Sequence, residues 1–290
     1  MKLTILYRGE LASCNYACGY CPFAKRRDTQ KQLQLDRVEL ARFVTWLKEQ
    51  DQHQWQLLFT PWGEALIRPW YRRAISELTF QPHLQSVTVQ TNLTCPLHWL
   101  LDCQSTKLNI LATFHPTETT IPQFLKRVSA VQLAGVHITV GMVAVAEQLT
   151  LIHEFRRQLP SEIYLWLNPQ QPRRRPYTTN ELEQFEQIDP YYQLSAQRLL
   201  SQGLYCPTGE TSFTVSGSGA MRRCHFIDQI IGNIYDSDWF SALQPRACTR
   251  KTCDCYLGKS QFSAKKIEPI FGEFTLTRTP LQWPALTGMI

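Results

Sequence analysis

The sequence predicts an α/β fold: a partial (β/α)6 barrel of the TIM type, followed by a small C-terminal α+β domain. Six apolar, β-branched segments alternate with segments of helical periodicity, which predicts the barrel. The proline- and arginine-rich stretch 169–177 then marks a linker to a different region. Alternation of strand and helix implies a parallel sheet whose crossover connections are right-handed.

The six predicted strands fix the order of the barrel. They cover residues 3–7, 55–60, 86–92, 109–115, 136–143 and 163–168, with helical patterns between them at 40–47, 70–78, 97–102, 121–133 and 147–158. In barrels of this type the working residues come from the C-terminal ends of the strands. Polar residues at those ends are therefore the first candidates for a functional site.

The region after the linker has its own elements. A helix is predicted to start at Thr178, because Glu181 follows three residues later as a capping box. Two short strands, 213–215 and 220–222, form a hairpin about the turn 216–219. We assign residues 1–175 to the barrel, 176–262 to the second domain and 263–290 to a tail that closes the barrel mouth or docks on its flank.

Composition limits the classes of function. The net charge of +6 comes from separate short basic clusters, at 25–27, 173–175 and 265–266, which do not form a nucleic-acid-binding track. Neither a signal peptide nor a membrane-spanning run is present. Ten cysteines in 290 residues are too few for a disulfide scaffold. We therefore expect a cytoplasmic protein with reduced thiols that binds neither nucleic acid nor membrane.

Three cysteines form the most informative pattern. Cys14, Cys18 and Cys21 have the spacing Cys-x3-Cys-x2-Cys directly after the first predicted strand. A [4Fe-4S] cluster normally takes four thiolates, so three leave one iron open to a small-molecule ligand. The pattern resembles the signature of radical S-adenosylmethionine (SAM) enzymes, and the resemblance is closest to a bacterial subfamily of them. Structural zinc is the alternative interpretation, although zinc ribbons usually pair two Cys-x2-Cys knuckles.

The resemblance implies a cofactor chemistry. In the superfamily, SAM binds the open iron. One electron from the cluster cleaves SAM to methionine and a 5'-deoxyadenosyl radical, which removes hydrogen from a substrate. A reductase of the flavodoxin or ferredoxin type supplies the electron. Tyr20, just before the last cysteine, matches the aromatic residue that packs beside the adenine.

The second predicted strand ends in a motif that differs from the family pattern at one position. Trp62-Gly63-Glu64 resembles the Gly-Gly-Glu that binds the SAM amino group. Gly63 and Glu64 match, whereas Trp62 replaces the first glycine and puts in doubt a close approach of the backbone to SAM there. The alternative is a turn glycine followed by a surface glutamate.

The resemblance extends to the ends of later strands. Asn92 matches a SAM contact, and His115 matches a position that binds substrate or exchanges a proton. A structural histidine at the strand end is the alternative for His115. Gly141 and Asn168 resemble the adenine-binding edge, although a glycine within a strand also marks ordinary close packing.

Two further cysteines fit no ligand spacing. Cys95 and Cys103 are predicted to be buried structural residues.

A second cysteine group follows the linker. The spacing Cys206-x12-Gly219-x4-Cys224 resembles the opening of SPASM and twitch domains, which hold auxiliary Fe-S clusters. Five cysteines are enough for one cluster, as in a twitch domain. Two ligands would come from the set Cys248, Cys253 and Cys255, of which we favour the last two because they sit together. Zinc is again the alternative.

The sequence therefore predicts a radical SAM oxidoreductase or modifying enzyme with one auxiliary Fe-S cluster. The auxiliary cluster transfers an electron or positions the substrate, which is a small molecule or a peptide. One alternative is a maturase of ribosomally made peptides that lacks a fused leader-binding domain. Another is a zinc-stabilised module that binds nucleic acid or protein.

Overall fold

A computed structural model describes residues 1–23, 26–171, 175–253, 264–272 and 275–283. Its main sheet contains six parallel strands that lie side by side in chain order. They are β1 (Lys2–Tyr7), β2 (Gln54–Phe59), β3 (Leu84–Thr91), β4 (Leu108–Phe114), β5 (His137–Ala144) and β6 (Leu165–Pro169). The predicted partial barrel is confirmed.

Helices connect most of these strands. The connecting helices are α1 (Gln30–Lys48), α2 (Pro69–Thr79), α3 (Ile121–Leu133) and α4 (Leu149–Gln158). The segment predicted as helical at 97–102 is instead a 3-10 turn, His98–Asp102. Thr29 and Thr120 cap α1 and α3 in reciprocal capping boxes with a glutamine three residues later, which satisfies the first free N–H groups of each helix.

Side chains that alternate along the strands form two separate apolar layers. Leu3, Ile5 and Tyr7 of β1 face the helices and belong to the large core between sheet and helices. The alternate residue Leu6 faces the other way and belongs to a small cluster with Leu58 and Leu111. The period of two along each strand thus separates the helix-covered face from the barrel interior.

The second region begins with α5 (Thr179–Ile188) and α6 (Tyr192–Ala196). The predicted capping box of Thr178 and Glu181 is present at the start of α5. Four two-residue strands then form two small pairs: β7 (Leu199–Leu200) with β13 (Thr252–Cys253), and β8 (Tyr205–Cys206) with β12 (Arg246–Ala247).

The predicted hairpin joins the main sheet. It consists of β9 (Ser212–Val215) and β10 (Ala220–Arg222), and β11 (Ile230–Asn233) continues it in antiparallel order. β9 pairs in parallel with β1 on the side away from β2, so the sheet has nine strands in the order β11-β10-β9-β1-β2-β3-β4-β5-β6. This pairing places the end of the hairpin beside the loop that follows β1.

The tail packs on the barrel. Helix α7 (Ala264–Phe271) places Ile267 and Phe271 against Tyr164 and Trp166 at the β6 edge. A 3-10 turn, Thr275–Thr277, follows, and its Leu276 joins the apolar cluster inside the barrel. In the part of the chain that the structure describes, every helix is too short or too polar to cross a membrane.

Asp189 ties the second region to the barrel. Its buried carboxylate accepts hydrogen bonds from the Tyr164 hydroxyl, from the Leu167 backbone N–H at 2.9 Å and from the Tyr191 backbone N–H at 3.0 Å. Burial raises the pKa of this carboxyl to about 6, against the hydrogen bonds, which lower it.

We expect Asp189→Ala to lower the free energy of unfolding by about 3 kcal/mol at pH 7, because three buried donors lose their acceptor. The substitution should also change the pH dependence. With a folded-state pKa raised to about 6, Asp189 holds a proton between about pH 4 and pH 6 that the unfolded chain releases, so its contribution to stability falls as pH rises through that window. Urea unfolding at several pH values measures both effects.

Asp238→Ala is the control, because Asp238 is an exposed acidic residue of the same region. It should leave the unfolding free energy unchanged within about 0.5 kcal/mol. Equal effects of the two substitutions would show that Asp189 does not hold this junction together.

Candidate functional site

The loop after β1 carries the three cysteines. The Cys21 N–H donates to the Cys18 carbonyl oxygen at 3.1 Å, and the Tyr16 N–H donates to the Cys14 sulfur at 3.3 Å. The Cys21 thiol lies 3.6 Å from the Phe23 carbonyl oxygen. These local bonds give the tight turn that the short spacing requires.

The three thiols lie close enough to repel one another as thiolates. Burial raises the pKa of Cys14, and the charge on Cys21 raises it further. Burial raises the pKa of Cys18 to about 11, with added repulsion from Glu118, Cys21 and Cys14. As positioned, no three His, Cys, Asp or Glu side chains of the described residues form a finished metal site. Three thiolates on one loop are nevertheless the donor set of an Fe-S cluster, whose positive irons would remove this repulsion.

The start of the cysteine loop is held by polar contacts. The Asp28 carboxylate accepts hydrogen bonds from the Ala12 and Ser13 backbone N–H groups at 2.9 and 2.8 Å, and from the Ser13 hydroxyl at 2.7 Å. The Arg68 guanidinium donates to the same hydroxyl at 2.9 Å. The residue before Cys14 is therefore fixed on two sides.

Gly63 packs directly against that residue. Its N–H donates to the Leu11 carbonyl oxygen at 3.1 Å, and the Glu64 N–H donates to the Ser13 carbonyl oxygen at 3.0 Å. A Cβ at position 63 would lie 2.1 Å from the Ser13 oxygen, a distance that no real Cβ tolerates. The structure thus gives Gly63 a role that the motif did not predict: it lets the β2 loop touch the backbone that leads into the cysteines.

Glu64 is buried, which excludes the surface-residue alternative. One carboxylate oxygen accepts from the Leu66 N–H at 3.0 Å and from the Thr91 hydroxyl at 2.7 Å. The other accepts from the Asn92 N–H at 2.6 Å. Burial raises the pKa of Glu64, while these bonds lower it. The carboxylate therefore joins the ends of β2 and β3.

Asn92 connects this carboxylate to the cysteine loop. Its side-chain amide donates to the Asn15 side-chain oxygen at 3.0 Å and lies 3.7 Å from the Cys14 sulfur. The Thr94 N–H donates back to the Asn92 side-chain oxygen at 3.1 Å, which fixes the amide orientation. Asn92 and Glu64 thus lie together with Cys14.

The loop after β4 holds the other side of the cysteine loop. Tyr20 and His115 are hydrogen-bonded, with 3.0 Å between the phenol oxygen and Nδ1, and their rings stack. The Glu118 carboxylate accepts from the Ala17 N–H at 3.2 Å. Burial lowers the pKa of His115 to about 4, so its imidazole is neutral at pH 7.

The remaining candidates of the barrel lie toward β5 and β6. Gly141 pairs with Thr113 of β4 and Trp166 of β6, and it faces the barrel interior. Asn168 is exposed at the end of β6.

The other two barrel cysteines take structural positions. Cys95 is fully buried, as predicted. Cys103 is half-buried and its thiol lies 3.5 Å from the Trp99 carbonyl oxygen.

The second cysteine group is partly assembled. Burial raises the pKa of Cys224, and charge on Cys206 or Cys248 raises it further. The pairing of β8 with β12 places Cys206 and Cys248 on neighbouring segments, and the Arg223 guanidinium donates to the Arg246 and Ala247 carbonyl oxygens, which brings Cys224 to the same pair. The Cys206 sulfur lies 3.0 Å from the Thr208 hydroxyl, and the Cys248 sulfur lies 3.6 Å from the Ser201 hydroxyl. The spacing argument had favoured Cys253 and Cys255 over Cys248. Cys253 is buried in β13, and Cys255 lies outside the described residues.

Trp62 links the two cysteine groups. Its ring centroid lies 5.0 Å from that of Phe23, two residues after Cys21, and 4.8 Å from that of His225, which follows Cys224. The Arg8 guanidinium carbon lies 4.9 Å from the Trp62 ring centroid. Trp62 therefore contacts both loops.

Sequence reasoning missed the acidic residues that position the cysteine loop. Besides Asp28, buried Asp36 of α1 accepts from the Leu11 N–H at 3.2 Å, the Trp70 ring at 2.8 Å and the Tyr71 hydroxyl at 2.9 Å. A signal was present for Asp36, because it lies four residues before Leu40 on the apolar stripe of α1. A carboxylate on such a stripe needs buried partners.

We expect Gly63→Ala to destabilise the metal-free protein by about 2 to 4 kcal/mol, because the added methyl meets backbone that cannot rotate away. The cysteine loop should also shift. Urea unfolding measures the first effect, and the rate at which a thiol reagent labels Cys14 and Cys18 measures the second.

Gly19→Ala is the matched control in the same loop, since a Cβ there meets nothing within 4 Å. It should behave like the unsubstituted protein in both measurements. A Gly63→Ala variant of normal stability and labelling rate would contradict the packing argument.

Comparison with known proteins identifies the fold. No protein-family model matches the chain, and no match was found among the curated proteins. Among solved structures, native anSMEcpe with bound AdoMet matches with a TM-score of 0.58 at 13% identity, over 83% of this chain and 80% of that one. The same protein with bound AdoMet and Cp18Cys peptide matches with a TM-score of 0.58 at 14% identity, over 84% and 80%. The chain therefore shares its fold with a protein whose structures contain AdoMet, the same molecule as SAM.

Proposed function

We propose that this chain is a radical SAM enzyme. Cys14, Cys18 and Cys21 hold a [4Fe-4S] cluster, and SAM binds beside it at the mouth of the barrel. When bound, this pair supplies a 5'-deoxyadenosyl radical that abstracts hydrogen from the substrate.

One observation carries the proposal: three thiols sit on one short loop that is fixed at the C-terminal ends of four neighbouring barrel strands. A motif match alone says nothing of this placement, and the strand ends are where barrels of this type carry their chemistry. The fold shared with an AdoMet-bound protein adds support. A zinc ribbon would not require the surrounding polar residues.

The residues around the loop have distinct tasks in this proposal. Glu64 would bind the SAM amino group, since its oxygen that accepts from Asn92 has the capacity for a second donor. Asn92 would orient the Cys14 side of the cluster. Tyr20 would pack beside the adenine, and neutral His115, which is hydrogen-bonded to Tyr20, would act as a positioning residue.

The proposal also includes partners and location. The cluster needs an external electron, which a flavodoxin- or ferredoxin-type reductase supplies. We place the chain in the cytoplasm, because ten cysteines in 290 residues are too few for a disulfide scaffold. The substrate is a small molecule or a peptide, and the peptide bound to anSMEcpe favours testing peptides as well.

We further propose that the second region is a twitch domain with one auxiliary Fe-S cluster. Cys206, Cys224 and Cys248 are three of its ligands, because the β8–β12 pairing and the contacts of Arg223 with β12 place their segments side by side. Cys253 or Cys255 provides the fourth. Trp62 keeps this site in contact with the first one.

The first site is tested by three single substitutions. Cys14→Ala, Cys18→Ala and Cys21→Ala should each abolish 5'-deoxyadenosine formation from SAM under anaerobic conditions with a strong reductant. Each should lose about half of the roughly eight iron atoms that two [4Fe-4S] clusters bring to a chain.

Cys103→Ala is the control, since Cys103 belongs to neither group, and it should keep both iron and activity. Normal product formation by any of the three variants would reject the site. Zinc with negligible iron in anaerobically purified protein would support the zinc-stabilised module instead.

The second site makes a different prediction. Cys206→Ala, Cys224→Ala and Cys248→Ala should each lose about half of the iron, because a lost ligand usually empties a metal site. All three should still form 5'-deoxyadenosine. Iron analysis and product chromatography measure the two results. If Cys248→Ala keeps its full iron content, Cys253 and Cys255, and not Cys248, complete the ligand set with Cys206 and Cys224.

A further inference from the structure

The turn after β3 has an unusual backbone conformation. Leu93 has a φ of 61°, in the left-handed region that residues with a side chain rarely adopt. Leucine lacks the advantage of glycine or asparagine, for which this region is least costly. Strain of this kind persists only where the surrounding contacts fix the residue, and it concentrates at functional sites. The contacts that fix Leu93 therefore indicate what the turn does.

Two kinds of contact hold the first part of this turn. The Leu93 side chain is fully buried and belongs to the large core between sheet and helices. Its backbone N–H donates to the Thr91 hydroxyl at 2.9 Å, and that hydroxyl donates to the buried Glu64 carboxylate at 2.7 Å. These contacts fix the side chain and the N–H of Leu93, so the carbonyl side of the turn must be held by another element.

Arg127 of α3 holds the carbonyl side. Its Nε donates to the Leu93 carbonyl oxygen, and its Nη2 donates to the Cys95 carbonyl oxygen. A planar guanidinium presents two donors at a fixed spacing, which the ammonium group of lysine does not reproduce. Arg127 thus ties both ends of the segment 93–95 to α3.

This segment and the residue before it carry polar contacts to the cysteine loop. The Asn92 side-chain amide donates to the Asn15 side-chain oxygen at 3.0 Å and lies 3.7 Å from the Cys14 sulfur. The Asn15 amide donates to the Thr94 hydroxyl at 3.0 Å, and that hydroxyl donates to the Asn92 side-chain oxygen at 2.6 Å. The backbone that Arg127 holds therefore sets the position of two side chains that bind Asn15.

We propose that Arg127 is a positioning residue for the cysteine loop. By holding the left-handed turn at Leu93, it keeps the Asn92 side chain against Asn15 and beside Cys14. Without the guanidinium, the strained turn relaxes and Asn92 turns away from Cys14. The inference rests on the proposed function, in which Asn92 orients the Cys14 side of the cluster. It adds a residue of α3, which no motif includes, to those on which the site depends.

The first test uses the full-length metal-free protein, so that its result is independent of iron and SAM. Arg127→Met keeps most of the length of the side chain and removes its donors. Because the relaxed turn releases Asn92 from the cysteine loop, a thiol reagent should label Cys14 about fivefold faster relative to Cys21. Tandem mass spectrometry resolves the two thiols. Global unfolding would expose both thiols alike, so their ratio reports the local change.

Arg156→Met is the matched control on α4. The Arg156 guanidinium also donates to backbone carbonyl oxygens, those of Leu159 and Ile163 at 2.8 Å and of Pro160 at 2.7 Å. These residues precede β6, at the opposite end of the barrel from the cysteine loop. Both substitutions should lower the thermal unfolding midpoint, whereas Arg156→Met should leave the labelling ratio unchanged. A merely structural role of Arg127 would give both variants the same ratio.

A second measurement uses the protein reconstituted with iron and sulfide. Arg127→Met should keep its iron content and bind SAM about tenfold more weakly, because Asn92 no longer orients the Cys14 side of the cluster. Arg127→Lys should show about threefold effects on SAM affinity and on the labelling ratio, since lysine lacks the planar pair of donors. If Arg127→Met does not fold, these effects of Arg127→Lys test the same inference.

The inference is overturned if Arg127→Met, or Arg127→Lys in its place, labels with the Cys14 to Cys21 ratio of the unsubstituted protein. It is also overturned if Arg156→Met changes that ratio as much, or if the Arg127 variants bind SAM with unchanged affinity. Failure of the unsubstituted reconstituted protein to bind SAM would instead reject the proposed function. The labelling ratio of the metal-free protein would then still decide whether Arg127 positions Asn92.

Discussion

The close contact between Gly63 and Ser13 is the constraint on which the candidate site depends. It lets two backbone segments exchange hydrogen bonds without a side chain between them. The loop that leads to Cys14 is then held by the end of β2 on one side and by Asp28 on the other. A loop that carries three thiols needs such external support, because a short polar loop by itself would not keep one conformation in water.

Two buried carboxylates lie at the same end of the barrel, and each accepts hydrogen bonds from nearby groups. Glu64 accepts three hydrogen bonds from two strand ends, and Asp36 accepts three from the cysteine loop and α2. A buried carboxylate without such donors would be costly. These carboxylates therefore join neighbouring loops through buried hydrogen bonds.

The pairing of β9 with β1 adds the strands of the second region to the barrel sheet. Cys206 precedes β9 and Cys224 follows the antiparallel β10, so both lie toward the N-terminal end of β1, whereas Cys14 follows its C-terminal end. Trp62 then fills the gap between the loops through Phe23 and His225.

The sequence by itself determined the alternation of strands and helices, the Thr178 cap, the hairpin about 216–219 and the cysteine spacing, since these depend on local periodicity and on turn residues. Only the tertiary structure decided that the hairpin extends the barrel sheet, that the segment of Cys248 lies beside those of Cys206 and Cys224, and that the tail places Leu276 inside the barrel. These placements join residues far apart in the chain. They depend on which surfaces pack together, and no local pattern records that.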